Sequence, residues 1–174
     1  MVEGRGPIRL SQPAGRLSIR LRAGDIAAVS AATGLRFDMP VNRWIGQRNG
    51  IVGRLGPDEW LFIGAEADLE TVTSELGGAL SGYPSAIVDV SHRQIGFEVA
   101  GPHADSILNA GCPLDLRPSA APTGFATRTL LGKAEITLFR LDGPTGFRIE
   151  CGRSFSTYVH GFLLEAARDY PSGD

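Results

Sequence analysis

Cysteine is nearly missing from this chain. Cys112 and Cys151 are two thiols in 174 residues, without a C-x-x-C spacing. That excludes a disulfide framework and a thiolate metal site. Both sit in apolar strings, where a thiol behaves as a small hydrophobe. Long apolar runs are missing as well. None approaches the roughly 20 residues needed to span a bilayer. The opening Met1-Val-Glu-Gly-Arg-Gly-Pro-Ile-Arg-Leu10 lacks the apolar core of a signal peptide, so a cytoplasmic location is expected. There is no excess of positive charge. A formal net charge of −2 argues against general nucleic-acid binding, which needs Lys and Arg to displace phosphate counterions. Lysine is reduced to Lys133, and the other basic residues are all arginine. Coding bias accounts for such a skew, yet it also suits an arginine-rich contact surface.

What remains has the composition of an ordinary globular protein: 43% hydrophobic against 21% charged, in a chain long enough for one well-buried domain or two small lobes. Residues 1–14 show no period and read as an arm, disordered or held by a partner. Residues 16–22 alternate Leu17, Ile19 and Leu21 against polar neighbours, the pattern of a half-buried strand. Gly24-Asp25 opens a short helix closed by Gly34. Residues 41–48 and 51–55 flank Asn49-Gly50, a strong hairpin signal. After the turn at Gly56-Pro57-Asp58-Glu59 come a strand over 60–63 and an amphipathic helix over 66–80.

The second half repeats the first. Ile95-Gly-Phe-Glu-Val99 matches Leu17-Ser-Ile-Arg-Leu21 at an offset of 78, as do His103 with Asp25 and Pro118 with Pro40. Beyond residues 119–127 the offset becomes 87: Asp142-Gly143-Pro144 matches the turn at Gly56-Pro57, and residues 147–151 match 60–64. Gly101-Pro102 starts a helix, and residues 125–130 and 134–141 form a hairpin around Gly132-Lys133. A last helix over 154–170 carries Phe155, Tyr158, Val159, Phe162, Leu163, Ala166 and Ala167 at core-facing spacing. The expected fold is therefore α+β, two similar lobes of antiparallel strands with helices packed on them. A flexible arm over 1–14 precedes one two-lobed domain over 15–174, with lobe 1 at about 15–83 and lobe 2 at about 84–170.

No side-chain constellation stands out as a catalytic site. Asp89-Val-Ser-His92 holds the residue types of a hydrolase, but in an extended chain Asp89 and Ser91 point away from His92. A Ser–His pair at that spacing does not form a nucleophile–base bond, and no Gly-x-Ser-x-Gly elbow is present. Asp89 and Ser91 are expected to bond backbone instead. His92, His103 and His160 are 11 and 57 positions apart, without carboxylates at ligand spacing, so no metal site is expected. Gly143-Pro-Thr-Gly146 is a turn, and neither a Walker A nor a G-x-G-x-x-G loop occurs. Arg93, Arg128, Arg148 and Arg153 suit an anionic ligand or a partner's carboxylates, although solvated arginine is the ordinary state of each. No catalytic, cofactor-binding or metal-binding residue is expected here.

Five strings resemble one family in order and spacing: Leu55-Gly-Pro-Asp-Glu-Trp-Leu61, Val88-Asp-Val-Ser-His-Arg-Gln94, Leu108-Asn-Ala-Gly-Cys-Pro-Leu-Asp-Leu116, Arg128-Thr129 and Arg153-Ser-Phe-Ser-Thr-Tyr-Val159. The chain from about Leu17 to Ala167 looks like the gamma subunit of heterotetrameric sarcosine oxidase. That family is similar to part of the folate-binding fold of the glycine-cleavage aminomethyltransferase. The resemblance implies a non-catalytic subunit of a complex that oxidatively demethylates sarcosine to glycine. Its partners would be the alpha, beta and delta subunits, chiefly alpha. FAD, FMN, NAD and tetrahydrofolate would belong to alpha and beta, and zinc to delta. Alternatives from the same resemblance are the small subunit of an N-methylglutamate dehydrogenase and a stand-alone folate-binding, aminomethyltransferase-like protein. A hydrolase built on Ser91 and His92 is a third reading.

Overall fold

A computed structural model describes residues 6–22, 25–47, 50–143 and 146–170. In chain order the elements are β1 (Ile8–Leu10), β2 (Gly15–Leu21), α1 (Ile26–Thr33), β3 (Arg43–Gln47), β4 (Gly50–Gly56), β5 (Glu59–Gly64), α2 (Leu69–Ala79), β6 (Ser85–Asp89), β7 (Gln94–Ala100), α3 (Ala104–Asn109), β8 (Ala126–Leu131), β9 (Ala134–Arg140), β10 (Gly146–Gly152) and α4 (Ser156–Ala166). They build two units, Pro13–His92 and Met1–Gln12 with Arg93–Asp174. Each holds one antiparallel five-stranded sheet, ordered β3-β4-β5-β2-β6 in the first and β1-β7-β10-β9-β8 in the second.

In the first unit, alternation along β2 turns Leu17, Ile19 and Leu21 into a core with Trp60 and Phe62 of β5, Val29 of α1, and Val72 and Leu76 of α2. Gly34 closes α1 with φ 65, a left-handed conformation that glycine adopts without a Cβ clash. Pro57-Asp58 is the two-residue turn between β4 and β5, and the ladder shifts register between Arg54 and Gly56. The second unit repeats this plan. Phe97, Val99, Phe147 and Ile149 of the sheet pack with Ile107 and Leu108 of α3 and Val159 and Leu163 of α4. The extra length lies where the change of offset placed it: residues 34–42 join α1 to β3, and the longer 110–125 joins α3 to β8.

One device recurs in both units and has no counterpart in the periodicity. Arg54 of β4 lies over the Trp60 ring at 5.0 Å and donates through Nη1 to the Met39 carbonyl at 3.0 Å. Arg140 of β9 lies over the Phe147 ring at 4.6 Å and donates through Nη1 to the Leu116 carbonyl at 2.9 Å. In each case a guanidinium ties the loop after the short helix to an aromatic ring of the neighbouring strand, by hydrogen bond and cation–π attraction.

The ends of the units differ from the expected boundaries. Residues 1–14 are not a structureless arm over their described part. Ile8–Leu10 pairs antiparallel with β7, Ile8 opposite Val99 and Leu10 opposite Phe97. The Ala100 amide donates to the Pro7 carbonyl at 2.8 Å, and the Ser11 amide to the Gly96 carbonyl at 2.9 Å. Burial of Ile8 and satisfaction of an otherwise bare sheet edge hold the segment. Conversely, β6 pairs with β2, Leu17 opposite Asp89, so the first unit continues to His92 rather than to about residue 83. The strand that precedes each half thus closes the sheet of the other half.

Smaller differences have local causes. Asp25 stands at the N-cap of α1 without a side-chain capping bond. The helix α3 begins at Ala104 rather than Gly101, because φ 104 at Gly101 turns the chain first. The helices expected over 66–80 and 154–170 each open with a 3-10 turn, Glu66–Asp68 and Arg153–Phe155. Helix α4 ends at Ala166, where the Arg168 amide bonds the Glu165 carbonyl in a tighter turn. Gly24, Asn49, Pro144 and Thr145, read above as turn residues, lie outside the described residues. No helix of the described residues is long and apolar enough to cross a membrane.

Candidate functional site: polar nodes and an aromatic ledge

Asp89 ends β6, and Ser91 opens the 3-10 turn Ser91–Arg93. Asp89 Oδ1 accepts from the Ser91 amide at 2.8 Å and from the Ser91 hydroxyl at 2.6 Å. Ser91 Oγ in turn accepts from the Arg16 amide at 2.8 Å. The serine proton is therefore committed to a carboxylate, and its oxygen splices the end of β6 to β2. These bonds are structural, of the kind short polar side chains make at turns. They hold the Asp89 carboxyl below its ordinary value of 3.8, the Ser91 hydroxyl first and the Ser91 amide second, with His92 adding a smaller electrostatic pull. Ser91→Ala is expected to raise the Asp89 pKa toward the ordinary value, read by carboxyl NMR titration. A depressed native pKa gives stability that is present above the unfolded value and lost as pH falls through the native one. The variant should therefore be destabilised at pH 7 by about 1 kcal/mol, with the deficit shrinking as the solution is acidified below pH 4.

The three histidines are dispersed. His103 stacks on Tyr170 with centroids 4.8 Å apart, and His160 stacks on Phe97 at 5.6 Å. Among the described residues no three His, Cys, Asp or Glu side chains group to hold a metal ion. Cys112 and Cys151 form no disulfide and are buried in the second unit's core.

The four arginines separate into two kinds. Arg93, Arg128 and Arg153 are exposed, whereas Arg148 is largely buried. Arg148 is thus not in the solvated state ordinary for arginine. Its Nε donates to Glu150 Oε1 at 2.6 Å, and the Glu150 side chain is wholly buried. Sheet register sets Arg128, Thr137, Glu150 and Gly96 side by side across β8, β9, β10 and β7. Gly96 leaves room for this node: a Cβ would stand 2.8 Å from Glu150 Oε1, 3.0 Å from Ser11 Oγ and 3.1 Å from Arg148 Nη2. Nothing in the sequence signalled this node, because an acid at every second strand position reads as solvent-facing.

The last helix departs most from its expected role. Of its apolar stripe, Val159 and Leu163 are buried, while Phe155 and Tyr158 are 45% and 39% exposed. Tyr158 is nevertheless fixed. Its hydroxyl accepts from the Lys133 amide at 3.1 Å, and its ring lies 6.2 Å from that of Phe162. The turn between β8 and β9 makes room by being glycine: at Gly132, φ is 59, and a Cβ there would meet the Tyr158 hydroxyl at 2.2 Å. Gly111 makes the matching space, since its Cβ would strike the Phe162 ring at 2.4 Å. The rings of Tyr158 and Phe162 are thereby held on a glycine-lined bed.

With this geometry in hand, known proteins place the chain. The family model for sarcosine oxidase, gamma subunit family, matches residues 22–169. A curated sarcosine oxidase subunit gamma from Corynebacterium sp. strain P-1 is 30% identical over 172 residues, covering 96% of this chain and 83% of the relative. The chain belongs to the sarcosine oxidase gamma subunit family. Another member, from Arthrobacter, is 31% identical over 147 residues, covering 84% of this chain and 71% of its own. The solved heterotetrameric sarcosine oxidase from Corynebacterium sp. U-96, in complex with pyrrole 2-carboxylate, contains a chain that superimposes with a TM-score of 0.85 at 28% identity. That match covers 96% of this chain and 86% of the other. The glycine cleavage system aminomethyltransferase T from Bartonella henselae shares the fold, with a TM-score of 0.69 at 14% identity over 90% of this chain and 45% of that one. The family thus fits the aminomethyltransferase-like, two-sheet architecture described above.

Proposed function

We propose that this chain is the gamma subunit of a heterotetrameric, flavin-dependent sarcosine oxidase, and that it supports the complex without supplying reacting groups. The observation that carries this assignment is the near full-length match in sequence and in fold to gamma subunits and to a chain of a solved heterotetramer. The committed hydrogen bonds of Asp89 and Ser91 and the stacked histidines agree with a supporting role. Under this assignment the partners are the alpha, beta and delta subunits, chiefly alpha. FAD, FMN, NAD and tetrahydrofolate are held by alpha and beta, and zinc by delta. The complex works in the cytoplasm.

The test is co-expression with the three partner subunits, followed by purification on a tag carried by beta. The chain is expected to elute with the complex in one copy per assembly. A complex that assembles and oxidises sarcosine equally well without it would sink the assignment.

A further inference from the structure

We propose that β6 is an open edge on which an extended segment of a partner subunit adds a further strand to the first sheet, bonded through the outward backbone groups of Ser85, Ile87 and Asp89. The proposal rests on the subunit assignment above and adds the edge that is used and the form its partner takes.

The outer strands are β3 and β6 in the first sheet and β1 and β8 in the second. Folded proteins blunt such edges by keeping them short, by charging them or by interrupting the ladder. β1 has three residues, with Ile8 in the core. β3 carries Arg43 and Gly46, and β8 carries Arg128. β6 has none of these devices. Ser85-Ala-Ile-Val-Asp89 holds no cation, proline or glycine, and all of it but Ile87 is exposed. Its one charge is turned back, since Asp89 Oδ1 accepts from the Ser91 amide and hydroxyl. Val88 stands 51% exposed.

The ladder decides which backbone groups are open. The Val90 amide donates to the Arg16 carbonyl at 2.9 Å. From there the register sets Val88 opposite Ser18 and Ala86 opposite Arg20. Antiparallel pairs alternate between bonded and non-bonded, so Ala86 and Val88 bond β2 while Ser85, Ile87 and Asp89 turn their N–H and C=O outward. Among the described residues these outward amides meet no partner. A row of donors and acceptors at that spacing is matched by another extended chain, as in strand addition to a sheet edge. With one copy of this chain per assembly, that strand comes from a different subunit. Its side chains beside Ala86 and Val88 are expected to be apolar, to pair with the exposed groups on that face.

The experiment compares amide hydrogen exchange, residue by residue, in the purified chain and in the complex assembled with the other subunits. The Ile87 amide is expected to exchange freely in the isolated chain and at least about tenfold more slowly in the complex, while Val88, already bonded to β2, changes little. Val88→Lys charges the edge without removing a backbone bond and is expected to weaken assembly at least about tenfold, with Leu164→Lys on α4 staying within about twofold. Circular dichroism checks the fold of each variant, and if Val88→Lys fails to fold, exchange at Ile87 in the wild type decides. An Ile87 amide that exchanges as fast in the complex as in the isolated chain overturns the proposal and leaves the subunit assignment standing. Failure of the wild-type chain to assemble overturns both. Protection of Ile87 in a dimer of the isolated chain, detected by sedimentation, would assign the edge to a second copy and overturn the proposal.

Discussion

Glu150→Ala is expected to lower stability by about 3–5 kcal/mol, the usual loss when one member of a buried ion pair is removed. The Glu150 carboxylate is wholly buried beside Arg148, with the Nε–Oε1 distance at 2.6 Å, and faces Thr137 and Gly96 in the sheet. Truncation removes the acceptor and leaves a desolvated guanidinium behind, which explains why the cost exceeds that of an ordinary hydrogen bond. In a chain of this size the melting temperature should fall by roughly 10 °C, measurable by calorimetry. Glu150→Gln keeps the shape and one acceptor oxygen and should lose distinctly less. Equal melting temperatures for Glu150→Ala and the wild type would show that Arg148 is satisfied by other means.

Trp60→Ala and Phe147→Ala are expected to cost about 3–5 kcal/mol each. Both rings are fully buried, and both lie under an arginine that braces the loop after a short helix. Trp60 also donates from Nε1 to the Phe37 carbonyl at 3.1 Å and meets the Phe37 ring edge-on at 5.9 Å. Its loss therefore removes a polar tie as well as volume. The two substitutions place the same lesion in the two halves of the repeat. Urea unfolding of each, followed by tryptophan fluorescence and by circular dichroism, reads the loss directly. A loss below 1 kcal/mol at either position would show that the local core collapses around the cavity.

The sheets were legible because Leu17, Ile19 and Leu21 alternate and reappear as Ile95, Phe97 and Val99. The 34–42 and 110–125 connections were legible for the same reason, as a change of offset within one repeat. The pairing of β1 was not. A three-residue strand with one buried side chain has no period, and its partner lies far along the chain. Alternation gives no sign of the buried Glu150, where the polar face of a strand is covered. At α4 the apolar stripe was correctly placed along the chain but was read as wholly core. Phe155 and Tyr158 keep helical spacing with Val159 and Leu163, and spacing does not distinguish a ring that covers the sheet from one at its margin. The Asp89–Ser91 turn was readable from residue type, since short polar side chains at a strand end seek backbone.

The closure of the second sheet by Ile8–Leu10 also sets a timetable for the nascent chain. Everything the first sheet needs lies within one continuous stretch and is available once His92 has been made. Ile8 must instead wait for Val99. At synthesis rates of about 5–20 residues per second that interval is on the order of 5–20 s, during which the segment is an unpaired, partly apolar ribbon. Co-translational folding of the first unit would run through this interval, and Ile8–Leu10 would reach its place only after it.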